Sequence, residues 1–165
     1  MDPLGGFTIK RCDPGDAVAR PLVEAHLAHS YSTTPQTSNH TMDVQALREP
    51  DIRFWTLSDK RGVVGCGALK SLPDGTTEVK SVHIASVARG RGLGRVMMAH
   101  LIGAARLEGA GALVLETGTM PEYSAARGLY AALGFEHCGP IYGYNLDPNS
   151  AFMRLPLDPT KLSPQ

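Results

Sequence analysis

The stretch "SVARGRGLGR", residues 86–95, decides the fold because it places three glycines and three arginines between a strand and a helix. It follows the alternating run "TEVKSVHIAS", 77–86, and precedes "LGRVMMAHLIGAARLEGAG", 93–111, whose apolar residues recur at helical spacing. The first N–H groups of a helix have no partner inside it, and the helix dipole adds partial positive charge there. Because glycine lets backbone approach a bulky anion closely, the stretch predicts a phosphate or pyrophosphate cradle.

Other phosphate-binding patterns do not fit this chain. The P-loop needs glycine before Lys-Ser, and "ALKS" has Leu69 at that place. The dinucleotide fingerprint needs a third glycine, which falls on Arg95 when counted from Gly90 and on Met97 when counted from Gly92. Glu116 still has the position of the ribose-binding acid, so a nucleotide-cofactor oxidoreductase stays open. The alternative to a phosphate site is a solvated loop with a glycine cap, whose arginines bind nothing.

Strands and helices are predicted on both sides of that loop. We expect strands at 7–12, 53–59, 62–72, 77–86, 112–118, 135–144 and 151–157, and helices at 17–31, 42–50, 93–111 and 123–135. Asp13 or Asp16 is expected to cap the first helix. Consecutive strands followed by a strand–helix–strand unit predict an α/β (α+β) fold. Its sheet is mixed, mostly antiparallel and six- to seven-stranded, with about four helices on both faces.

Composition limits the classes of protein. The 165 residues suit one domain, with an ordered core at about 5–158 and a frayed tail at 159–165. Lys+Arg and Asp+Glu are both 16, so the net charge is zero, and we expect no nucleic-acid partner. The sequence has no apolar run of about eighteen residues and no apolar signal segment, so we expect no membrane partner.

The cysteines and histidines indicate no metal. Cys12, Cys66 and Cys138 are spaced too widely for a zinc site or a disulfide framework, which favours a reducing cytoplasmic setting. His26 and His29 have helical i, i+3 spacing, but no third ligand follows them. We therefore expect no metal cofactor.

Three motifs together carry a family resemblance. "RGRGLG", 89–94, matches Arg/Gln-x-x-Gly-x-Gly/Ala, "LVLETG" forms the next strand, and "ARGLYAALGF", 126–135, contains Leu-Tyr-x-x-x-Gly-Phe. Over nearly its whole length the chain resembles the Gcn5-related N-acetyltransferase (GNAT) superfamily. "EVKS", "LETG" and "DPNSAFM" further resemble a bacterial YsnE-like or auxin-acetyltransferase-like subgroup. The resemblance implies acetyl-CoA-dependent transfer of an acetyl group, by direct attack, to a primary amine of a small or amino-acid-like molecule.

The resemblance also implies where acetyl-CoA binds. Its pantetheine arm would pair with the backbone of the fourth strand at Val82, His83 and Ile84. Its pyrophosphate would bind the backbone amides of Arg89, Gly90, Arg91, Gly92, Leu93, Gly94 and Arg95. Many relatives have a cofactor-touching asparagine where this chain has Tyr123. That asparagine's role does not transfer, and Tyr123 either stacks near the pantetheine or packs.

Catalysis needs a donor to the thioester carbonyl, an acid and a base. A backbone N–H near Val82 fits the first part. Tyr130, at the tyrosine position of the Leu-Tyr motif, fits the acid, since a phenol with a pKa of about 10 is protonated at neutral pH. Alternatively, Tyr130 has only a structural role as a tyrosine packed on its helix. For the base, the first candidate is Glu78, eleven residues before Arg89, and the second is Glu116. The remaining alternative is relayed water or no dedicated base.

The acceptor pocket of the family draws on the first two helices, their loop and the last strands. The candidates of this chain are His29, Tyr31, Trp55, Tyr142, Tyr144 and Asn149. The expected partner is a small-molecule amine, with a homodimer as the candidate assembly. A non-catalytic acyl-CoA-binding regulator of another protein remains a second functional alternative.

Overall fold

The seven strands of the molecule form one twisted sheet in a computed structural model, which describes residues 6–157. The strands are β1 (Thr8–Arg11), β2 (Ile52–Asp59), β3 (Gly62–Ser71), β4 (Thr77–Ile84), β5 (Ala112–Gly118), β6 (Glu136–Cys138) and β7 (Ser150–Pro156). Their spatial order is β1-β2-β3-β4-β5-β7-β6. Among the described strands β4 and β5 pair in parallel and every other neighbouring pair is antiparallel. The predicted mixed, mostly antiparallel sheet is confirmed.

Helices cover both faces of the sheet. They are α1 (Arg20–Thr33), α2 (Val44–Leu47), α3 (Leu93–Leu107) and α4 (Ser124–Ala132) within the described chain. The main core lies between the sheet and α3, with Leu129 of α4 and Leu133, which follows that helix, packed against it. A second core lies on the other face, where α1 and α2 meet Phe54 and Cys66. None of these helices is long and apolar enough to cross a membrane.

The packing of α3 follows from its sequence. Leu93, Met97 and Leu101, four residues apart, are at most 2% exposed, so one face of the helix is buried in the core. Gly67 of β3 lies under this face, and a Cβ added there would approach the Met97 side chain to 2.9 Å. Glycine at this position therefore lets α3 sit close to the sheet. The helix fixes the position of the loop that precedes it.

Strands β4 and β5 diverge halfway along their length. They pair at Thr77↔Leu113 and Glu78↔Val114 and then part. The register of β3 against β4 also shifts between Cys66 and Ala68, and Ser81 takes a φ of 55°. A positive φ is uncommon for a residue other than glycine, and here it accompanies a β-bulge. Because β4 bends away from β5, a cleft opens between the two strands.

Two local predictions were wrong. The last-but-one strand ends at residue 138, not 144, because Gly139 and Pro140 interrupt it and Gly143, with a φ of 85°, turns the chain. The first helix begins at Arg20 with Ala19 at its N-cap, so neither expected aspartate caps it. Instead, a carboxylate oxygen of Asp16 accepts from the Val18 N–H within a tight turn. The expected frayed tail, 159–165, lies outside the described residues.

Candidate active site

The loop before α3 presents unbonded backbone N–H groups. Gly90 and Gly92 have φ values of 80° and 75°, a left-handed conformation that glycine adopts without strain. Gly92 is the N-cap of α3, and its carbonyl accepts the Val96 N–H at 3.2 Å. Since α-helical bonding begins at Val96, the amides of the preceding turn are free to bind an anion. This arrangement fits the pyrophosphate of acetyl-CoA.

The arginines of the loop are held beside this turn. Arg91 donates to an Asp59 carboxylate oxygen at 2.9 Å, and its guanidinium lies 4.9 Å from the centre of the Phe7 ring. The hydrogen bond from Arg91 holds the pKa of the Asp59 carboxyl below its ordinary value. Arg89 donates to the carbonyl of Ile84 at 3.2 Å. Asp59 therefore compensates the charge of Arg91 beside the turn.

A cavity of about 140 Å³ occupies the gap between β4 and β5. One side is lined by residues 79–82 of β4 and 115–118 of β5, together with Tyr123 and Tyr130. The other side is lined by polar residues of α1 and of the loop at 38–41. We call this cavity the cleft. It brings together strand backbone, a phenol and a carboxylate, Glu116.

The three predicted pantetheine-binding residues of β4 have different surroundings. Val82 lines the cleft. The His83 side chain is buried against α1, with its ring centre 5.2 Å from that of His26. Ile84 packs against the main core. Only the backbone of these residues is expected to pair with the pantetheine, so the side-chain differences do not affect that expectation.

The two tyrosines of the cleft differ in their partners. The Tyr123 hydroxyl shares hydrogen bonds with the Thr33 hydroxyl at 2.6 Å and the Thr34 hydroxyl at 3.1 Å. It therefore ties the end of α1 to the start of α4. Tyr130 packs its ring 5.9 Å from that of Phe135, and burial raises its pKa to about 12. A phenol with this pKa stays protonated throughout the physiological range.

The two candidate bases also differ in their surroundings. Glu78 is 2% exposed, and one carboxylate oxygen accepts from the Tyr144 hydroxyl at 2.5 Å and from Lys80 at 3.2 Å. It lines a neighbouring outer groove with Tyr144, and His40 and Lys80 line both this groove and the cleft. Glu116 lines the cleft and accepts from the Ser150 hydroxyl at 2.8 Å. Burial raises the pKa of the Glu116 carboxyl, a shift that the Ser150 hydrogen bond opposes.

The predicted acceptor residues are scattered. His29 lies 6.1 Å from the Tyr123 ring, and the Asn149 amide donates to Ser38 at 3.3 Å, so both lie near the cleft. Tyr31 and Tyr142 are 56% and 52% exposed, and Tyr142 and Tyr144 line the outer groove. The structure does not bring Trp55 to the cleft. It is buried in the main core, where its ring contacts His100 and Arg11.

Sequence reasoning missed several residues of the cleft. Lys80 follows Glu78 by two positions, so the two side chains share one face of β4, and this spacing could have found it. Asn39 and Thr41 lie in an irregular loop, and nothing in their pattern predicts the contact with α1. Residues 6–157 contain no group of three or more His, Cys, Asp or Glu side chains placed to hold a metal ion.

Comparison with known proteins assigns the family. The sequence model of the acetyltransferase (GNAT) family matches residues 20–135. The chain belongs to the GNAT acetyltransferase family. It is 40% identical over 157 residues to the IAA acetyltransferase of Azospirillum brasilense, and the alignment covers 93% of this chain and 100% of that one. It is 37% identical over 132 residues to the uncharacterized N-acetyltransferase YsnE of Bacillus subtilis, which covers 80% and 87%. The expected YsnE-like and auxin-acetyltransferase-like kinship is confirmed.

A solved structure supports the same assignment. A Klebsiella pneumoniae protein proposed to be an acyl-CoA N-acyltransferase superposes with a TM-score of 0.75 at 31% identity. The match covers 92% of this chain and 98% of that one. This GNAT chain is thus an N-acetyltransferase. The assignment takes precedence over the two alternatives considered above, a nucleotide-cofactor oxidoreductase and a non-catalytic regulator.

Proposed function

We propose that this GNAT enzyme acts as a single cytoplasmic domain that acetylates the primary amine of a small molecule by direct attack on acetyl-CoA. The observation that carries the proposal is the placement of Glu116 and Tyr130 around one cleft, where β4 and β5 part. A base and an acid on the same cavity suit a reaction that removes one proton and supplies another. The free state of Cys12, Cys66 and Cys138 is in keeping with a reducing compartment.

Acetyl-CoA fits the residues around this cleft. The backbone of Val82, His83 and Ile84 would pair with the pantetheine arm, because β5 has already left that edge of β4. The amides of the turn at 90–95 would bind the pyrophosphate, whereas the Arg89 N–H of the expected 89–95 set already donates to the Ser86 carbonyl at 3.4 Å. Acetyl-CoA supplies an acetyl thioester at this place, and the protein supplies the groups that hold it and move protons.

We assign the base to Glu116 rather than to Glu78. Glu78 is held by Tyr144 and neutralised by Lys80, so it is poorly suited to receive another proton. Glu116 lines the cleft, and burial makes its carboxylate more basic than an exposed one. A raised pKa brings the group closer to the pH at which a general base works well.

We assign the acid to Tyr130. As the amine nitrogen bonds to the acetyl carbon, Glu116 takes a proton from the amine, directly or through water. As the carbon–sulfur bond breaks, Tyr130 gives its phenolic proton to the departing sulfur. A backbone N–H of β4 near Val82 stabilises the negative charge that develops on the carbonyl oxygen. One proton leaves the amine and one reaches the thiol, and the cycle closes when the proton on Glu116 is released to water and the Tyr130 phenolate takes one from water.

The experiment measures thiol release from acetyl-CoA across a library of primary amines. It compares the wild type with the variants Glu116→Gln and Glu78→Gln. Both changes remove a carboxylate and keep the side-chain shape. We expect Glu116→Gln to lower kcat by about 10²–10⁴, the usual contribution of general base catalysis. Glu78→Gln keeps a hydrogen-bonding group for Tyr144 and should reduce kcat far less. The opposite order would assign the base to Glu78, and equal activity of both variants would favour relayed water.

A further inference from the structure

The acceptor side of the cleft is lined almost entirely by neutral hydrogen-bonding groups. Four hydroxyl side chains and one amide come from α1 and the loop that follows it. They are Ser30, Thr34, Ser38, Thr41 and Asn39. The Thr41 hydroxyl donates to that of Ser30 at 2.6 Å, which fixes the loop against the helix. This wall can bind neutral oxygen or nitrogen atoms of an acceptor.

Among residues 6–157 the cleft has no free lysine or arginine side chain for a carboxylate, and its histidines are His26 and His40. Lys80 is the one lysine or arginine among its lining residues in the described chain. Its ammonium group donates to Glu78 at 3.2 Å, to the Tyr144 hydroxyl at 2.9 Å and to the carbonyl of His40 at 3.2 Å. These three bonds use all the donors of an ammonium group. His26 adds no charge at neutral pH, since burial lowers its pKa to about 3.

Two buried polar groups of cleft-lining residues have no partner within residues 6–157, the Asn39 amide nitrogen and the Ser81 hydroxyl. The Asn39 side-chain oxygen accepts the Thr41 N–H at 2.9 Å, which fixes the orientation of the amide. Its nitrogen, Nδ2, is consequently the free donor, and it is buried. Buried polar groups are almost always paired, so an unpaired donor in a ligand cleft indicates a hydrogen bond made with the ligand.

We infer that the acetyl acceptor is a primary amine that carries a neutral oxygen, a hydroxyl or an amide carbonyl, and no free carboxylate. The ammonium form would be attracted to Glu116, and the neutral oxygen would accept from Asn39. A carboxylate on the acceptor would be repelled by Glu116, and Lys80 could not compensate it because Glu78 already neutralises that lysine. The inference rests on the proposed amine acetylation at this cleft, and it narrows the amino-acid-like acceptors expected from the sequence to amino alcohols and amino amides.

The test uses acceptors with one carbon skeleton: alaninol, alaninamide, alanine and isopropylamine. We expect kcat/KM, corrected for the fraction of free amine, to be at least about tenfold higher for alaninol and alaninamide than for alanine. In Asn39→Asp, which keeps the oxygen that Thr41 needs and removes the donor, the ratio of alaninol to isopropylamine should fall about two- to tenfold. That is the range for a single neutral hydrogen bond. Asn145→Asp, an exposed change outside the cleft, is the charge-matched control and should leave the ratio unchanged.

Three outcomes overturn the inference: alanine equal to or better than alaninol, an unchanged ratio in Asn39→Asp, or no turnover of any of the four acceptors. They are separable from failure of the proposed function. If other amines of the library release thiol and depend on Glu116, the enzyme assignment stands while the acceptor class is wrong. If the Asn39→Asp effect holds but Glu116→Gln is fully active, the acceptor class stands and the base is wrong.

Discussion

At the scale of single residues, the two glutamates of the site differ in whether a neighbouring side chain already neutralises their charge. Glu78 and Glu116 lie on adjacent strands, yet one is held by Lys80 and Tyr144 and the other faces the cleft. The sequence placed both glutamates near the reaction centre. It could not predict the contact of Glu78 with Tyr144, because the pattern of residues 135–144 predicts a strand, whereas the chain beyond Cys138 is a loop. Burial of polar groups by an irregular loop is a tertiary effect that local patterns do not encode.

The role of Tyr130 can be tested by removing one oxygen atom. Tyr130→Phe keeps the ring that packs near Phe135, so folding and acetyl-CoA binding should barely change. Turnover should fall by about 10²-fold, the lower end for general acid catalysis, because a thiolate is a fairly good leaving group. The loss should appear in kcat, since the donated proton matters only as the carbon–sulfur bond breaks.

Steady-state kinetics at saturating acetyl-CoA, with calorimetry for its affinity, provide the readout. Tyr123→Phe is a matched control in the same cleft, since its hydroxyl bonds to Thr33 and Thr34. It should cost stability rather than turnover. Wild-type turnover in Tyr130→Phe, with chemistry rate-limiting, would make Tyr130 a packing residue.

At the scale of elements, strands with strong periodic patterns were predicted well and irregular segments were not. The fifth strand, 112–118, was predicted with its observed bounds, because its apolar run at 112–115 lies between the glycines at 111 and 118. The expected strand at 135–144 failed because its apolar residues serve another purpose. Ile141 is buried in a small cluster with Phe152, and Tyr144 packs beside them, so alternation there reflects a loop folded onto the sheet.

The turn that begins α3 can be tested by a pair of nearly identical substitutions. Asp and Asn tolerate positive φ better than other residues, and a Cβ at Gly92 would meet nothing within 4 Å. Gly92→Asn should therefore fold and bind acetyl-CoA with a modest loss. Gly92→Asp adds only a negative charge, and it should weaken binding by roughly a further tenfold to hundredfold, the range for interactions with charged groups.

Calorimetric titration of acetyl-CoA into both variants measures the difference, which should shrink as salt is added. Gly103→Asp, in α3 well beyond its first turn, is the charge control and should leave acetyl-CoA binding unchanged. If the Asn and Asp variants bind acetyl-CoA equally well, the pyrophosphate does not lie on this turn.

At the scale of the whole molecule, the two faces of the sheet have different chemistry. The face under α3 is packed with aliphatic side chains, whereas the face under α1 carries Glu78, Lys80 and His83, whose ring lies beside that of His26 on α1. Polar groups on that face border the cleft, and they are buried at some cost to stability. The prediction of helices on both faces was correct because it needed only element order. The asymmetry between the faces depends on which strand residues point each way after the β-bulge.

The buried histidine pair should make folding stability depend on pH. Burial is the main cause that lowers the pKa of His26 to about 3 and that of His83 to about 4, whereas an unfolded histidine titrates near pH 6.5. The unfolded chain therefore binds more protons below that pH. Stability is fully present above about pH 6.5 and falls as the pH is lowered, by up to about 1.4 kcal/mol per pH unit for each histidine. The exposed carboxylates with lowered pKa values, such as Asp13 at about 2, titrate below this window.

Urea unfolding between pH 5 and pH 7.5, followed by the fluorescence of the single tryptophan, Trp55, measures this dependence. His26→Gln removes one titrating ring and should reduce the slope of unfolding free energy against pH below 6.5 by up to about 1.4 kcal/mol per pH unit, while His83 and His100, whose pKa values burial also lowers, keep the remaining slope. His137→Gln, an exposed change on β6, should leave the slope unchanged. Glu116, whose raised pKa acts in the opposite direction, is common to all three proteins and cancels in the comparison. A slope in His26→Gln equal to that of the wild type would mean that His26 is not held neutral in the folded protein.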